Sequence, residues 1–135
     1  MRNPPFVLLL ALIWAQLALK CSARIGETRE QCDQRYGAPT GGKKDVVYYL
    51  KNEILILVRF ANGVCSQIVY AKADQTSFSA EELKELLVAN SLDGKRTWKL
   101  FKENVWTSDD DYAAAVHENG FFIQPKPKTN PLQGF

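Results

Sequence analysis

A chain of 135 residues, 46% of them hydrophobic, suits one domain with a modest core, and a formal charge of +2 is too small for a surface that reads phosphates. A single histidine removes His-pair zinc sites and most acid–base relays. Thr40-Gly41-Gly42-Lys43-Lys44 is not a phosphate loop, because no strand precedes it and no Gly-Lys-Ser/Thr opens a helix.

At the N-terminus Arg2 precedes an apolar run over 6–19, broken only by Gln16, and then Cys21-Ser22-Ala23. A positive head, a short apolar stretch and small residues before the cut describe a secretory signal peptide over 1–23, cleaved after Ala23. The run falls short of the roughly 20 residues that span a bilayer. Lys20 stands where a lipobox has a small residue, which ranks cleavage above acylation of Cys21 and a lipid-anchored outer-membrane form. With Arg2 and Lys20 gone, the seventeen basic residues fall to parity with the fifteen acidic ones. The expectation is a periplasmic or extracellular chain with no transmembrane span and no nucleic-acid partner. Export also leaves Cys32 and Cys65 in an oxidising compartment, where an even count predicts a disulfide. Two buried free thiols acting as small hydrophobes are the alternative.

Thr28 with Gln31 forms a capping box, predicting a short helix that carries Ile25, Cys32 and Tyr36 on its inner side and leaves Arg29, Glu30, Asp33, Gln34 and Arg35 to water. Gly37 closes that helix and Pro39 prevents its restart. Three antiparallel strands are expected next, over 46–50, 54–61 and 64–70, reversed at Lys51-Asn52-Glu53 and at Asn62-Gly63, a type I′ signal. A two-residue turn at Asn62-Gly63 sets Phe60 opposite Cys65, Val58 opposite Gln67 and Ile56 opposite Val69. Ile54, Ile56, Val58, Phe60, Cys65 and Val69 then share the core face, interrupted by Gln67. The opposite face carries Arg59, Ser66, Leu55, Leu57, Ile68 and Tyr70, so something should cover the sheet on both sides at one end.

Gly26-Glu27-Thr28, then Arg35-Tyr36-Gly37-Ala38-Pro39, then a meander, resembles the opening of small exported domains such as the BamE (SmpA/OmlA) lipoproteins and the β-lactamase-inhibitor-protein-like fold. The chain is also similar to small exported bacterial proteins with no assigned activity. The resemblance implies a helix-plus-sheet scaffold that binds other proteins without catalysis.

In the second half, Ser79 with Glu82 makes another capping box and Phe78 can staple onto Leu83, predicting a helix to about Asn90 with Leu83, Leu86 and Leu87 inward. Strands are expected over 97–101, with Trp98 and Leu100 on one face and Lys99 and Phe101 on the other, and over 105–107. For 112–124 a strand, a turn at Asn119-Gly120 and a second strand are preferred to a helix through the three alanines. The Pro-rich residues 125–135 read as a solvated tail.

The architecture so predicted is α+β, two helices on antiparallel meanders in the order αβββ-αβββ, with one domain over 24–124. His117 is assigned to packing, and Asp109-Asp110-Asp111 to a polar turn, since consecutive acids lack calcium-loop spacing. Lys95, Arg96, Lys99 and Lys102 interleave with Trp98, Phe101 and Trp106, a pattern that suits either an interface or a core. The expectation is a monomeric, non-catalytic module without cofactor or metal, which contacts an unknown protein or envelope component through Tyr48, Tyr49, Leu55, Tyr70, Trp98, Phe101 and Trp106. An envelope-associated structural protein or lipoprotein, or a small secreted enzyme inhibitor, is the alternative.

Overall fold

A computed structural model describes residues 24–92 and 94–127, so the signal peptide expected over 1–23 and the tail from 128 onward lie outside the described residues. Two helices, α1 (Arg29–Tyr36) and α2 (Ala80–Ala89), each precede four strands. The first set is β1 (Gly41–Gly42), β2 (Val46–Lys51), β3 (Ile54–Ala61) and β4 (Val64–Lys72). The second set is β5 (Trp98–Lys102), β6 (Val105–Ser108), β7 (Tyr112–His117) and β8 (Gly120–Pro125).

The expected α+β pair of three-stranded meanders is not what forms. All eight strands make one antiparallel sheet in the order β1-β2-β3-β4-β8-β7-β6-β5, which dominates the fold, with two short helices beside it among the described residues. The fusion occurs at the β4–β8 seam, where Ile68, Val69 and Tyr70 oppose Ile123, Phe122 and Phe121. These six residues are apolar on both faces of their strands, a pattern that belongs to the interior of a sheet rather than to an edge. The strand added to the first set is β1, the Gly41–Gly42 pair against Val47 and Tyr48, for which glycine offers no strand signal.

Both capping boxes form, through Thr28 with Gln31 and Ser79 with Glu82. Gly37 ends α1 with φ 86°, donating its N–H to the Asp33 carbonyl at 2.8 Å. Each helix puts two side chains into the core, Cys32 and Tyr36 from α1, Leu83 and Leu86 from α2. Asp33, expected to face water, instead accepts a 2.5 Å hydrogen bond from the Tyr49 hydroxyl, and Arg35 pairs with Glu27.

The register of the first hairpin departs from a plain two-residue turn. Asn62 and Gly63 do take left-handed backbone (φ 53° and 79°), and Phe60 does oppose Cys65, but Arg59 then opposes Gln67. Ser66 is therefore an extra residue, a β-bulge whose hydroxyl donates to the Arg59 carbonyl at 3.2 Å. Beyond it every side chain of β4 changes face relative to the straight register. Ile68 and Tyr70 join Ile56, Val58, Phe60 and Cys65 in the core, while Gln67 and Val69 move to the other side. The reason is energetic: a straight register would bury the Gln67 amide, at a cost of about 1–3 kcal/mol if unpartnered, and expose Ile68 and Tyr70.

Tyr112–His117 is a strand as expected, but the turn after it is Glu118-Asn119 (Glu118 φ 53°), with Gly120 already in β8. Strand β8 runs through Pro125, and Lys126 is held by its N–H to the Asp111 carbonyl at 2.8 Å, so the first residues assigned to the tail are anchored.

The core lies between the helices and one face of the sheet, with Tyr49, Tyr70 and Phe121 as its largest fully buried side chains. A polar cluster is built into it at the C-terminal end of α2. The fully buried Asn90 donates its side-chain amide to the Tyr70 hydroxyl (3.1 Å) and the Leu86 carbonyl (2.9 Å), and its Oδ1 accepts from the Ile25 N–H (3.2 Å). Arg96 donates to the Asn90 carbonyl (2.9 Å) and to both Asp110 oxygens (2.9 and 2.8 Å), with its guanidinium 4.6 Å from the Tyr112 ring centre. The Asp109–Asp111 turn thus anchors both meanders' shared core: Asp110 also accepts from the Ser108 hydroxyl, and Asp109 from the Thr97 N–H.

Candidate interaction face

Strand alternation and cross-strand register fix what the helix-free side of the sheet displays. Outward positions align in rows perpendicular to the strands. One row reads Tyr48, Leu57, Val69, Phe122, Ala115, Val105 and, at the β5 edge, Lys102. Leu50, Leu55 and Ala71 form a shorter apolar row beside it. The neighbouring row on the other side starts at Val46 and is polar beyond it except for the buried Ala113: Arg59, Gln67, Gln124, Ala113, Thr107 and Lys99. Gln67 donates its side-chain amide to Gln124 at 3.0 Å across the seam. The Ser66 bulge builds this row, because without it Gln67 would point into the core.

The apolar rows are open at the β2–β3 end, half-buried at Leu57, Val69 and Phe122, and closed at Ala115 and Val105, which are buried. Tyr48, Leu50 and Leu55 remain 46%, 48% and 47% exposed, the last two facing each other beside the β2–β3 turn. The second layer expected on this side is therefore missing over Tyr48, Leu50 and Leu55 among the described residues, an exposure that asks for an explanation. His117 stands at its margin, edge-on to Phe122 with ring centres 6.1 Å apart.

The seven residues expected to form one contact surface are divided by the sheet. Tyr48 and Leu55 lie on the helix-free face. Tyr49 and Tyr70, expected on the contact surface, are instead fully buried on the helix side, where alternation in β2 and the Ser66 bulge in β4 turn them inward. Trp98 and Trp106 are half-buried on the helix side and line an open groove of about 1130 Å³ beside α2. Phe101 is the bulged residue of β5, 54% exposed at the sheet edge. The basic cluster divides too, for Arg96 is buried while Lys99 and Lys102 point out with the helix-free face.

The expected Cys32–Cys65 disulfide is not formed; both thiols are free and buried. Burial, reinforced by the Glu27 carboxylate, pushes the Cys32 thiol up to about 12, and burial also pushes Cys65 up, so both are protonated and unreactive at neutral pH. Backbone pairing attaches α1 to the hairpin instead. Gly26 donates to the Cys65 carbonyl at 2.8 Å, Cys65 donates to the Glu27 carbonyl at 2.7 Å, and Thr28 bridges Val64. Among the described residues no group of three or more His, Cys, Asp or Glu side chains is placed to hold a metal ion.

No family model matches this chain, and neither the curated proteins nor the solved structures yield a match. The likeness of Gly26 to Pro39 to exported binding domains therefore rests on those residues alone.

The sheet's margins narrow the possibilities further. Strand β1 is two glycines long, and strand β5 carries Lys99, Lys102 and a bulge, the devices that keep an edge from recruiting another strand. The two edges are therefore poor sites for adding a strand. No helix among the described residues is long and apolar enough to cross a membrane.

Proposed function

We propose that this chain is an exported, non-catalytic binding module whose contact surface is the helix-free face of the sheet. The observation that carries the reading is the apolar patch at the β2–β3 end of the face, where Tyr48, Leu50 and Leu55 are exposed and continue in register into the half-buried Leu57, Val69 and Phe122. Single exposed apolar residues need no explanation, but a cluster of them in register, continued by accessible apolar side chains across β3, β4 and β8, does. Export rests on the signal-like residues 1–23, and intact mass of the protein from its producing cell tests it: a chain beginning at Arg24 is expected, whereas an uncleaved chain overturns export and acylation of Cys21 places the module on a membrane.

The binding reading is tested by placing a photo-activated crosslinker, one position at a time, at Tyr48, Leu57 or Phe122, and on the helix side at Arg29 or Lys84. Adducts in the producing cell are expected from the first three positions and not from the last two. Equal labelling of both sides, or none from the first three, would overturn it.

A further inference from the structure

The rows on the helix-free face have a charge pattern as well as an apolar one. Among the described residues, none of the eight strands contains an aspartate or glutamate. The cations of the strands divide by side. Lys51 and Lys72 point toward the helices and are engaged there, by the Arg35 carbonyl at 2.5 Å and by Glu82 at 2.8 Å. Arg59, Lys99 and Lys102 point the other way, are exposed, and enter none of the ion pairs found among the described residues. Arg59 and Lys99 bracket the polar row, five strand spacings apart, or roughly 24 Å.

We infer that the face takes an acidic, amphipathic segment of another protein, lying across the strands. Its apolar side chains cover the accessible part of the row, Tyr48 to Phe122, and its carboxylates meet Arg59 at one end and Lys99 with Lys102 at the other. The Gln67–Gln124 pair and Thr107 between them offer uncharged hydrogen-bonding groups. This rests on the reading of the face as a contact surface and adds the chemistry of what it contacts.

The turns decide between a protein segment and an anionic bilayer. Glu53, Glu103, Asp109, Asp111 and Glu118 are exposed at the strand ends, on both margins of the face. A membrane plane wide enough to reach the central rows would meet these carboxylates as well, whereas a segment confined to the rows avoids them. A second copy of this chain would bring the same unpaired cations against the same face, with no strand carboxylate to receive them.

The test uses two synthetic amphipathic peptides with identical Leu and Phe positions, one carrying Glu and the other Lys on the polar side. Affinities for the protein are measured at low and physiological salt, beside vesicles containing phosphatidylglycerol and sedimentation of the protein alone. The Glu peptide is expected to bind about tenfold more tightly, with the preference shrinking as salt rises. The double charge reversal Arg59→Glu and Lys99→Glu is expected to invert the preference, and Tyr48→Ser with Leu55→Ser to weaken both peptides. Inversion is a readout that mere loss of folding cannot produce. Equal affinity for the two peptides, lost in the Tyr48→Ser and Leu55→Ser variant, would overturn the acidic partner while leaving the face as a binding surface. If neither peptide is sensitive to any of these substitutions, both readings fall. Vesicle binding abolished by the charge reversal would replace the protein segment with a lipid surface, and a concentration-dependent dimer broken by Tyr48→Ser and Leu55→Ser would replace it with a second copy.

Discussion

Asn90 is the residue on which the core's polar cluster turns, and its replacement has a calculable cost. Asn90→Ala removes three side-chain hydrogen bonds from a site with no solvent access. The Leu86 carbonyl keeps the Asn90 N–H as donor, at 3.2 Å, so it is not stranded. The Ile25 N–H loses its side-chain acceptor in a buried position, worth about 1–3 kcal/mol, and the Tyr70 hydroxyl loses a donor worth about 1 kcal/mol. The expected loss is about 2–4 kcal/mol, a large part of the 5–15 kcal/mol that holds an ordinary domain together. Urea unfolding at fixed pH should show a midpoint lower by about 1 M or more with little change in slope. Asn90→Asp sharpens the test, because one carboxylate oxygen must face the Leu86 carbonyl where the amide donated. That acid should fold preferentially in its protonated form, with its folded pKa above the unfolded value. Its stability is then greatest below the unfolded carboxylate pKa and falls as pH rises through the folded one, so the variant should be more stable at pH 4 than at pH 7 relative to the parent. A loss under about 0.5 kcal/mol for Asn90→Ala, or a pH-independent difference for Asn90→Asp, would refute the reasoning.

Other perturbations probe other parts of the structure. Deleting Ser66 removes the bulge and drives the β4 side chains beyond it to opposite faces, exposing Ile68 and Tyr70; the result should be an unfolded or dye-binding chain by circular dichroism and ANS fluorescence, while Ser66→Ala, which keeps the residue count, should stay folded. For Asp110, burial alone would raise the carboxyl, but the Ser108 hydroxyl and the Arg96 guanidinium overcome it and hold the group below the usual carboxylate range. Its contribution is present above the ordinary carboxylate pKa and is lost as pH falls through the lowered one, so Arg96→Met should reduce the dependence of stability on pH on the acid side, read by thermal melts from pH 5 downward. A thiol reagent such as DTNB should leave the native protein with both described thiols in this free, buried state almost untouched at neutral pH and react with both in denaturant; rapid labelling of the native form would contradict their burial.

Local signals survived into the structure where the interactions that make them are local. The capping boxes at Thr28 and Ser79, the left-handed Asn62-Gly63 turn and the strand over Tyr112–His117 each depend on residues a few positions apart. What escaped was set at long range. The seam pairs Tyr70 with Phe121, fifty-one positions away, and only the two-faced apolar runs in β4 and β8 hint at it. The bulge left a trace in the sequence, since Gln67 fell on an otherwise apolar face, and reading that interruption as a register change would have turned Ile68 and Tyr70 inward. The candidate face was half visible for the same reason: Tyr48 and Leu55 were on it, Tyr49 and Tyr70 were one residue out of phase, and the rows across the seam required knowing that β4 meets β8. The absence of carboxylates from the strands could have been noticed from the sequence once the strands were placed.

The seam also sets an order of assembly. Each half of the sheet closes through hairpins of neighbouring strands, contacts that form in microseconds because their loops are short. Joining the halves demands closure of a loop of about fifty residues for only three facing pairs, so it is the slow, entropically expensive step. Until it happens, β4 and β8 each present an apolar, unpaired margin to the solution. In that open state the two most adhesive edges of the chain are free while the partner strand of each is still to come.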